Sequence, residues 1–134
     1  MKILLDTHVA IWAMFDSKRI PMNVRGTLED ISNEILYSIA SVWEIEIKHL
    51  AHPDNMPIDA SEFVTQCRAS DFRELPLLKE HIYRLRDLRR AENALPHKDP
   101  FDRILLCQSI SEGATFVTHD SALKGYDLPG LRFI

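Results

Sequence analysis

Four acidic residues stand where their carboxylates could bind a metal ion. Asp6 and Asp120 each follow a strand-like run, and Glu44 and Asp102 each lie in the first turn of a predicted helix. Hard divalent ions prefer oxygen ligands, and one or two such ions can activate water for in-line attack on a phosphodiester. Because no Ser/His/Asp series or Gly-rich phosphate loop accompanies these acids, they predict metal-dependent hydrolysis of nucleic acid.

The elements that must position these acids alternate between strands and helices. Strands are predicted at Lys2–Leu5, Glu34–Ser38, Phe72–Leu75, 114–118 and 131–134. Helices are predicted at Val9–Phe15, at 22–32, from Ser41 onward, at 60–70, at 79–88, from Asp99-Pro100 to Gly113, and at 120–124. The helix that begins at Ser41 has a predicted apolar face of Trp43, Ile47, Leu50 and Ala51. Strands separated by helices predict an α/β domain with a mostly parallel sheet. In such sheets the working crevice lies beyond the carboxyl ends of the strands, so we expect the four acids to share that edge.

Capping of helix N-termini is an alternative role for each acid. Asp6 and Asp120 precede helices, and Ser41-Val-Trp-Glu44 matches a capping box. Asp99 before Pro100 suits an N-cap, which leaves Asp102 in the first turn. Capping explains each position alone, but not why acids should gather at one edge, where their mutual repulsion destabilises the fold. A bound cation would remove that conflict.

The composition is that of one globular domain over residues 1–134. The chain has 46% hydrophobic and 27% charged residues and only four Gly. Cys67 and Cys107 form no zinc-ligand pattern, Cys107 is expected in the core, and a reduced cytoplasmic setting is predicted. We expect neither a signal peptide nor a membrane span, because no apolar run is long enough for either.

The net charge of −4 has the wrong sign for nucleic-acid binding by bulk charge. Any such binding needs a local patch, and the densest positive segment holds Arg84, Arg86, Arg89 and Arg90. These arginines are candidates for contact with an RNA backbone, the alternative being a solvated helix face. Lys48 forms either an i, i+4 ion pair with Glu44 or a substrate contact, and Arg103 either holds a phosphate or pairs with a carboxylate.

Several segments, taken together, resemble a known family over nearly the whole chain. They are Leu4-Leu-Asp-Thr-His8, Ser41-Val-Trp-Glu44 with Ile47-Lys48, His97-Lys-Asp-Pro-Phe-Asp-Arg103 followed by Leu106-Cys-Gln108, and Phe116-Val-Thr-His-Asp120. In this order and at these separations they resemble the PIN domain, and within it the VapC-type ribonuclease toxins of type II toxin–antitoxin pairs.

The resemblance implies a PIN-like three-layer α/β/α fold with a Mg²⁺ or Mn²⁺ site. It implies that Asp6 and Asp102 are the main metal ligands and that Glu44 and Asp120 complete the acidic set. It also implies endonucleolytic cleavage of RNA by metal-activated water, a cognate antitoxin and a homodimer. The alternatives are a structure-specific DNA nuclease with the same metal chemistry and a non-catalytic PIN-like module that only binds a partner.

Residues next to the acids have more than one role open to them. Thr7 and Thr118 would either orient the carboxylates or cap locally. His8, His97 and His119 would either bind phosphate or shuttle protons, or else face solvent or cap, and we favour the second role.

The segment Val9–Phe15 is apolar all round. This predicts a helix buried in the core, the alternative being contact of Trp12 or Phe15 with a second copy or an antitoxin.

Overall fold

The computed structural model describes every residue from Met1 to Ile134 and contains one five-stranded sheet. Its strands are β1 (Lys2–Leu5), β2 (Glu34–Ser38), β3 (Arg73–Leu75), β4 (Thr115–Thr118) and β5 (Leu131–Phe133). They lie in the order β3-β2-β1-β4-β5, and every neighbouring pair is parallel. The predicted parallel α/β sheet is therefore confirmed, with β1 at its centre.

Six α-helices connect the strands. They are α1 (Thr7–Phe15), α2 (Met22–Glu29), α3 (Ile39–Ala51), α4 (Ala60–Ala69), α5 (Lys79–Tyr83) and α6 (Pro100–Glu112), with 3₁₀ turns at Ser17–Arg19, Arg84–Asp87 and Ser121–Gly125. The helix predicted over 22–32 ends early, at Glu29, and the one predicted over 79–88 divides into α5 and a 3₁₀ turn.

Helices cover both faces of the sheet, which gives the predicted three layers. Ile3 and Leu5 of β1 pack in a core with side chains of α1, α2 and α4, while Leu4 packs in a second core with α6. All three are at most 1% exposed, as the continuous apolar run of a central parallel strand requires. The helix α1 follows the prediction at its start, where Val9 and Ala10 are buried, but Phe15 at its end is exposed.

The helix α3 begins two residues before the predicted start. The Ser38 hydroxyl accepts a hydrogen bond from the Ala40 amide at 3.0 Å, so Ser38 is the N-cap and the predicted capping box from Ser41 to Glu44 is wrong. The face turned inward carries Ala40, Ser41, Glu44 and Ile45.

The apolar face predicted for α3 faces solvent instead. Trp43, Ile47 and Leu50 are 60%, 43% and 76% exposed, because the side of the helix that carries Glu44 is the one that faces inward. None of the helices is both apolar and long enough to cross a membrane.

Candidate active site

The four predicted acids line one cleft of about 260 Å³ at the carboxyl edge of the sheet. Asp6 follows β1, Asp120 follows β4, and Glu44 and Asp102 project from α3 and α6. The remaining lining residues are His8, Trp12, Lys48, Asp99 and His119. The structure therefore brings together side chains that are distant in the sequence, as the topology predicts.

Asp6 is fixed by hydrogen bonds to both of its carboxylate oxygens. Oδ1 accepts from the Thr7 amide at 2.7 Å, which caps α1, and Oδ2 accepts from the Thr118 hydroxyl at 2.6 Å. The residue is only 4% exposed. Asp6 therefore caps a helix and lines the cleft at once, so the two roles considered for it are compatible.

Glu44 is the most deeply buried of the acids, at 2% exposed. Oε2 accepts a hydrogen bond from the Lys48 ammonium at 2.6 Å, which is the predicted i, i+4 pair. Oε1 is buried and has no hydrogen-bond partner. A buried carboxylate oxygen without a partner is costly unless a cation or donor from outside the chain satisfies it.

Asp99 and Asp102 divide their roles as the sequence predicts. The Asp99 carboxylate accepts from the amides of Phe101 and Asp102 at 2.9 and 3.3 Å, so Asp99 is the N-cap of α6. Asp102 is 7% exposed and makes no such capping bond. Its carboxylate is thus available to the cleft.

Asp120 is the most exposed of the four acids. Its carboxylate accepts from the Ala122 amide at 2.9 Å, and its own amide donates to the Thr118 hydroxyl oxygen at 3.0 Å. Thr118 is fully buried and contacts both Asp6 and Asp120. It therefore takes both roles open to it, since it orients the Asp6 carboxylate and caps locally through the Asp120 amide. Thr7 bonds through its hydroxyl to Ser41 at 2.8 Å, which ties α1 to α3.

The crowding of these acids opposes their ionisation. Burial, then the charges of Asp6 and Asp99 and the hydrogen bond and charge of Asp120, raise the pKa of Asp102 to about 8. Burial also raises the pKa of Asp6, although its bonds from Thr118 and Thr7 act in the opposite direction. Burial lowers the pKa of Lys48, but Glu44 and the neighbouring acids outweigh it and raise that pKa above its ordinary value.

A divalent cation fits this arrangement. Lys48 is the one lysine or arginine side chain that lines a cleft holding five carboxylates, and one buried oxygen of Glu44 lacks a partner. Oxygen donors of this kind suit Mg²⁺ and Mn²⁺. The residues that could hold the ion are the predicted pair Asp6 and Asp102, with Glu44 and Asp120 beside them.

The prediction that His97 faces solvent or caps is wrong. Its side chain is 8% exposed, and Nε2 lies 3.3 Å from Asp102 Oδ2. Nδ1 lies 2.8 Å from the hydroxyl of Tyr126, a residue that belongs to none of the motifs recognised in the sequence. Burial, followed by the charge of Arg90, lowers the pKa of His97 and so favours the neutral ring. His8 and His119 are exposed at the rim of the cleft.

The arginine-rich segment lies outside the cleft. Arg89 donates to the Arg86 and Leu88 carbonyls, and the Arg90 guanidinium lies 4.7 Å from the centre of the Tyr126 ring. None of the four arginines lines the cleft, and neither does Arg103, whose buried Nε has no partner. Cys107 is buried, as predicted, and burial raises the pKa of its thiol to about 11.

Comparison with known proteins gives one family and a set of similar folds. The family model of the PIN domain matches residues 3–128. No curated protein matches the chain in sequence.

Among the solved structures that share its fold are two toxin–antitoxin complexes. One is VapBC2 from Rickettsia felis bound to a DNA fragment of the VapBC2 promoter. It is 18% identical in sequence, with a TM-score of 0.69, and the match covers 100% of this chain and 98% of that one. The other is DNA-bound VapBC from Salmonella typhimurium, with 18% identity, a TM-score of 0.65, and coverage of 100% and 97%. At this identity the similarity concerns the fold.

Proposed function

Because the chain belongs to the PIN domain family, we propose that it is a nuclease toxin of a toxin–antitoxin pair that cleaves RNA with a divalent cation. The main support for this proposal is the convergence of Asp6, Glu44, Asp102 and Asp120 on one cleft, three of them buried. A fold gains little stability from gathering buried carboxylates, so the arrangement is better explained by a bound cation. Mg²⁺ is the proposed ion, with Mn²⁺ as a substitute, and the whole chain acts as one domain.

The four acids take different parts in the reaction. Asp6 and Asp102 hold the ion, and the bonds from Thr7 and Thr118 favour the ionised form of Asp6 and fix its direction. Glu44 Oε1 and the Asp120 carboxylate orient the attacking water by accepting its hydrogen bonds. When bound, a divalent cation would act as a Lewis acid that polarises the phosphate and stabilises the leaving oxygen.

The proposal includes a protein partner. The similar folds from Rickettsia felis and Salmonella typhimurium are both VapBC complexes, and we extend that partnership to this chain as a cognate antitoxin. The exposed apolar residues of α3 and Phe15 at the end of α1 supply surface for an antitoxin and for a homodimer. A cytoplasmic setting follows from this function.

The test is cleavage of a panel of structured RNAs by the purified chain with EDTA, Mg²⁺ or Mn²⁺. We expect endonucleolytic products with either ion and none with EDTA. The matched substrates are DNA oligonucleotides of the same sequences and folds. Cleavage of DNA but not RNA would replace the proposal with a DNA nuclease, and cleavage of neither with either ion would contradict it.

Two variants of the same helix N-terminus separate catalysis from capping. Asp102→Asn is expected to lower the cleavage rate by more than about 100-fold, since it removes a metal ligand rather than an outer hydrogen-bond partner. Asp99→Asn keeps the cap, because Asn caps as well as Asp does, and it is expected to retain cleavage. Equal losses in the two variants would mean that Asp102 has no special role.

A further inference from the structure

His97 approaches two acids of the cleft, Asp102 and Asp120, from a loop rather than from a helix or strand. The loop precedes α6, and it brings His97 Nε2 to 3.3 Å from Asp102 Oδ2. The nitrogen and the nearest carboxylate oxygens of Asp102 and Asp120 all lie within 4.8 Å of one another. The His97 ring thus adds one nitrogen donor next to the carboxylate oxygens.

Tyr126 fixes the histidine ring from the other side. Its hydroxyl lies 2.8 Å from Nδ1, and the two rings pack edge to face with centroids 5.5 Å apart. Tyr126 is itself held by Arg90, whose guanidinium lies over its ring. Arg90 in turn donates to the carbonyls of Leu95 and Ala122, which fastens the loop that carries His97.

This arrangement allows both neutral tautomers of His97. With the proton on Nε2, the ring donates to Asp102 and accepts from the Tyr126 hydroxyl. With the proton on Nδ1, the ring donates to Tyr126, and Nε2 points a lone pair toward the carboxylates. In the second tautomer the Nε2 lone pair and the carboxylate oxygens repel each other when nothing lies between them. A cation between them turns this repulsion into attraction.

We propose that His97 is a nitrogen ligand of the divalent cation that Asp6 and Asp102 hold, with the Asp120 carboxylate beside it, and that Tyr126 is the residue that orients it. This inference rests on the proposed function and deepens it. A metal-bound histidine usually donates its other ring N–H to a fixed acceptor, which is the position of the Tyr126 hydroxyl.

The spacing of the donors is suitable for one ion. Ligand atoms that each lie about 2.1 Å from a cation are separated by about 3 to 4 Å. The 3.3 Å between His97 and Asp102 falls in that range, and a carboxylate oxygen of Asp120 lies within 4.8 Å of both. The unpartnered oxygen of Glu44, in the cleft that Asp102 and Asp120 also line, is an independent sign that a cation or the water it carries belongs there.

A nitrogen ligand changes which ion the cleft prefers. Mg²⁺ is satisfied by oxygen donors, whereas imidazole raises affinity for first-row transition ions. We therefore expect the chain to bind Mn²⁺ more tightly than Mg²⁺, and His97→Gln to reduce that preference by about tenfold.

Electron spin echo spectroscopy of the full chain loaded with Mn²⁺ tests the proposal directly. A histidine nitrogen bound to Mn²⁺ modulates the decay of the electron spin echo. Labelling the histidines of the wild-type chain with ¹⁵N changes this modulation, which identifies the nitrogen as histidine without any substitution. We expect that modulation in the wild-type chain and its loss in His97→Gln. His119→Gln, which removes an exposed histidine from the rim of the same cleft, is the matched control and is expected to retain it.

Each result decides between the alternatives. Mn²⁺ bound without a histidine nitrogen would overturn the inference and leave the proposed function standing, with His97 only a hydrogen-bond partner of Asp102. A signal that persists in His97→Gln would also overturn it. Failure of Mn²⁺ to bind at all would overturn the proposed function together with the inference.

Further variants keep the test decisive if His97→Gln does not fold. The double variant His8→Gln/His119→Gln leaves His97 as the one histidine near the carboxylates, and its nitrogen signal is expected to match that of the wild-type chain. Tyr126→Phe keeps the ring but not the hydroxyl, so the signal should remain while Mn²⁺ affinity falls about tenfold. Unchanged affinity in Tyr126→Phe would remove the orienting role assigned to Tyr126.

Discussion

The Thr118 hydroxyl donates to the Asp6 carboxylate at 2.6 Å across 112 positions of sequence. The register of the sheet produces this contact, because Leu5 of β1 pairs with Val117 of β4 and the next residue of each strand lies at the same edge. The same hydroxyl oxygen accepts from the Asp120 amide at 3.0 Å. One buried side chain thus holds two of the four acids in place.

Thr118→Val is expected to weaken Mg²⁺ binding by about 10-fold, since it removes a hydrogen bond that orients a ligand. Thr118→Ser keeps the hydroxyl and is expected to bind Mg²⁺ within a few-fold of the wild-type chain. Isothermal titration calorimetry of the two variants, each shown to be folded by circular dichroism, makes the comparison. Equal affinity in both variants would show that the hydroxyl does not support the site.

The metal-free chain should lose stability as pH rises through the range in which Asp102 ionises. The pKa of Asp102 is raised from 3.8 to about 8 in the folded chain, so its contribution to stability is full below about pH 4 and is lost by about pH 8. In EDTA, the melting temperature of the wild-type chain should therefore decline over this range relative to that of Asp102→Asn, which carries no charge there.

Asp54→Asn is the control for this pH dependence. Asp54 is exposed in the turn after α3, away from the acidic cleft. This variant is expected to follow the wild-type chain at every pH. A wild-type curve parallel to that of Asp102→Asn would contradict the prediction.

Lys48→Met is expected to destabilise the metal-free chain by about 1 to 2 kcal/mol. The substitution leaves the buried Glu44 carboxylate without the Lys48 ammonium group. The expected loss of stability is smaller than for a fully buried ion pair because the Lys48 side chain is 42% exposed. Urea unfolding with EDTA measures the loss, and excess Mg²⁺ should recover part of it. Lys18→Met, at an exposed position with no ion pair, should change stability by less than about 0.5 kcal/mol.

The same substitution at two glycines should change stability in opposite directions. Gly113 ends α6 with φ +63, where a side chain is strained, so Gly113→Ala is expected to destabilise the chain by about 1 kcal/mol. Gly26 lies inside α2, and a Cβ there would meet nothing within 4 Å, so Gly26→Ala is expected to stabilise the chain by about 0.5 kcal/mol. Thermal unfolding measures the change in melting temperature of each variant. A change in the same direction for both would contradict either the left-handed conformation of Gly113 or the open helical position of Gly26.

The sheet was predictable from the sequence because its central strands β1, β2 and β4 are largely apolar and buried. Lys2–Leu5 and Glu34–Ser38 have the predicted bounds, and Gly113 ends its helix as expected. The acids could be placed at one edge because that position follows from the connectivity of a parallel sheet alone. No side-chain detail was needed for it.

Features that depend on contacts distant in sequence were not predictable. The start of α3 depends on whether Ser38 or Ser41 caps it, and both are serines before suitable residues. The burial of His97 depends on Tyr126, which lies 29 positions later and has no periodic pattern around it. Similarly, the exposure of Trp43 depends on which face of α3 the sheet leaves uncovered.

Binding of a divalent cation among the four carboxylates is the proposal on which the others depend. Anomalous X-ray diffraction from crystals of the chain soaked in Mn²⁺ is its decisive test, because Mn²⁺ scatters anomalously and can be located without assumptions about ligands. We expect a strong peak in the cleft within bonding distance of Asp6 and Asp102, and its loss in crystals of Asp102→Asn. A wild-type cleft without a peak, or an unchanged peak in Asp102→Asn, would show that the carboxylates do not bind the ion as proposed.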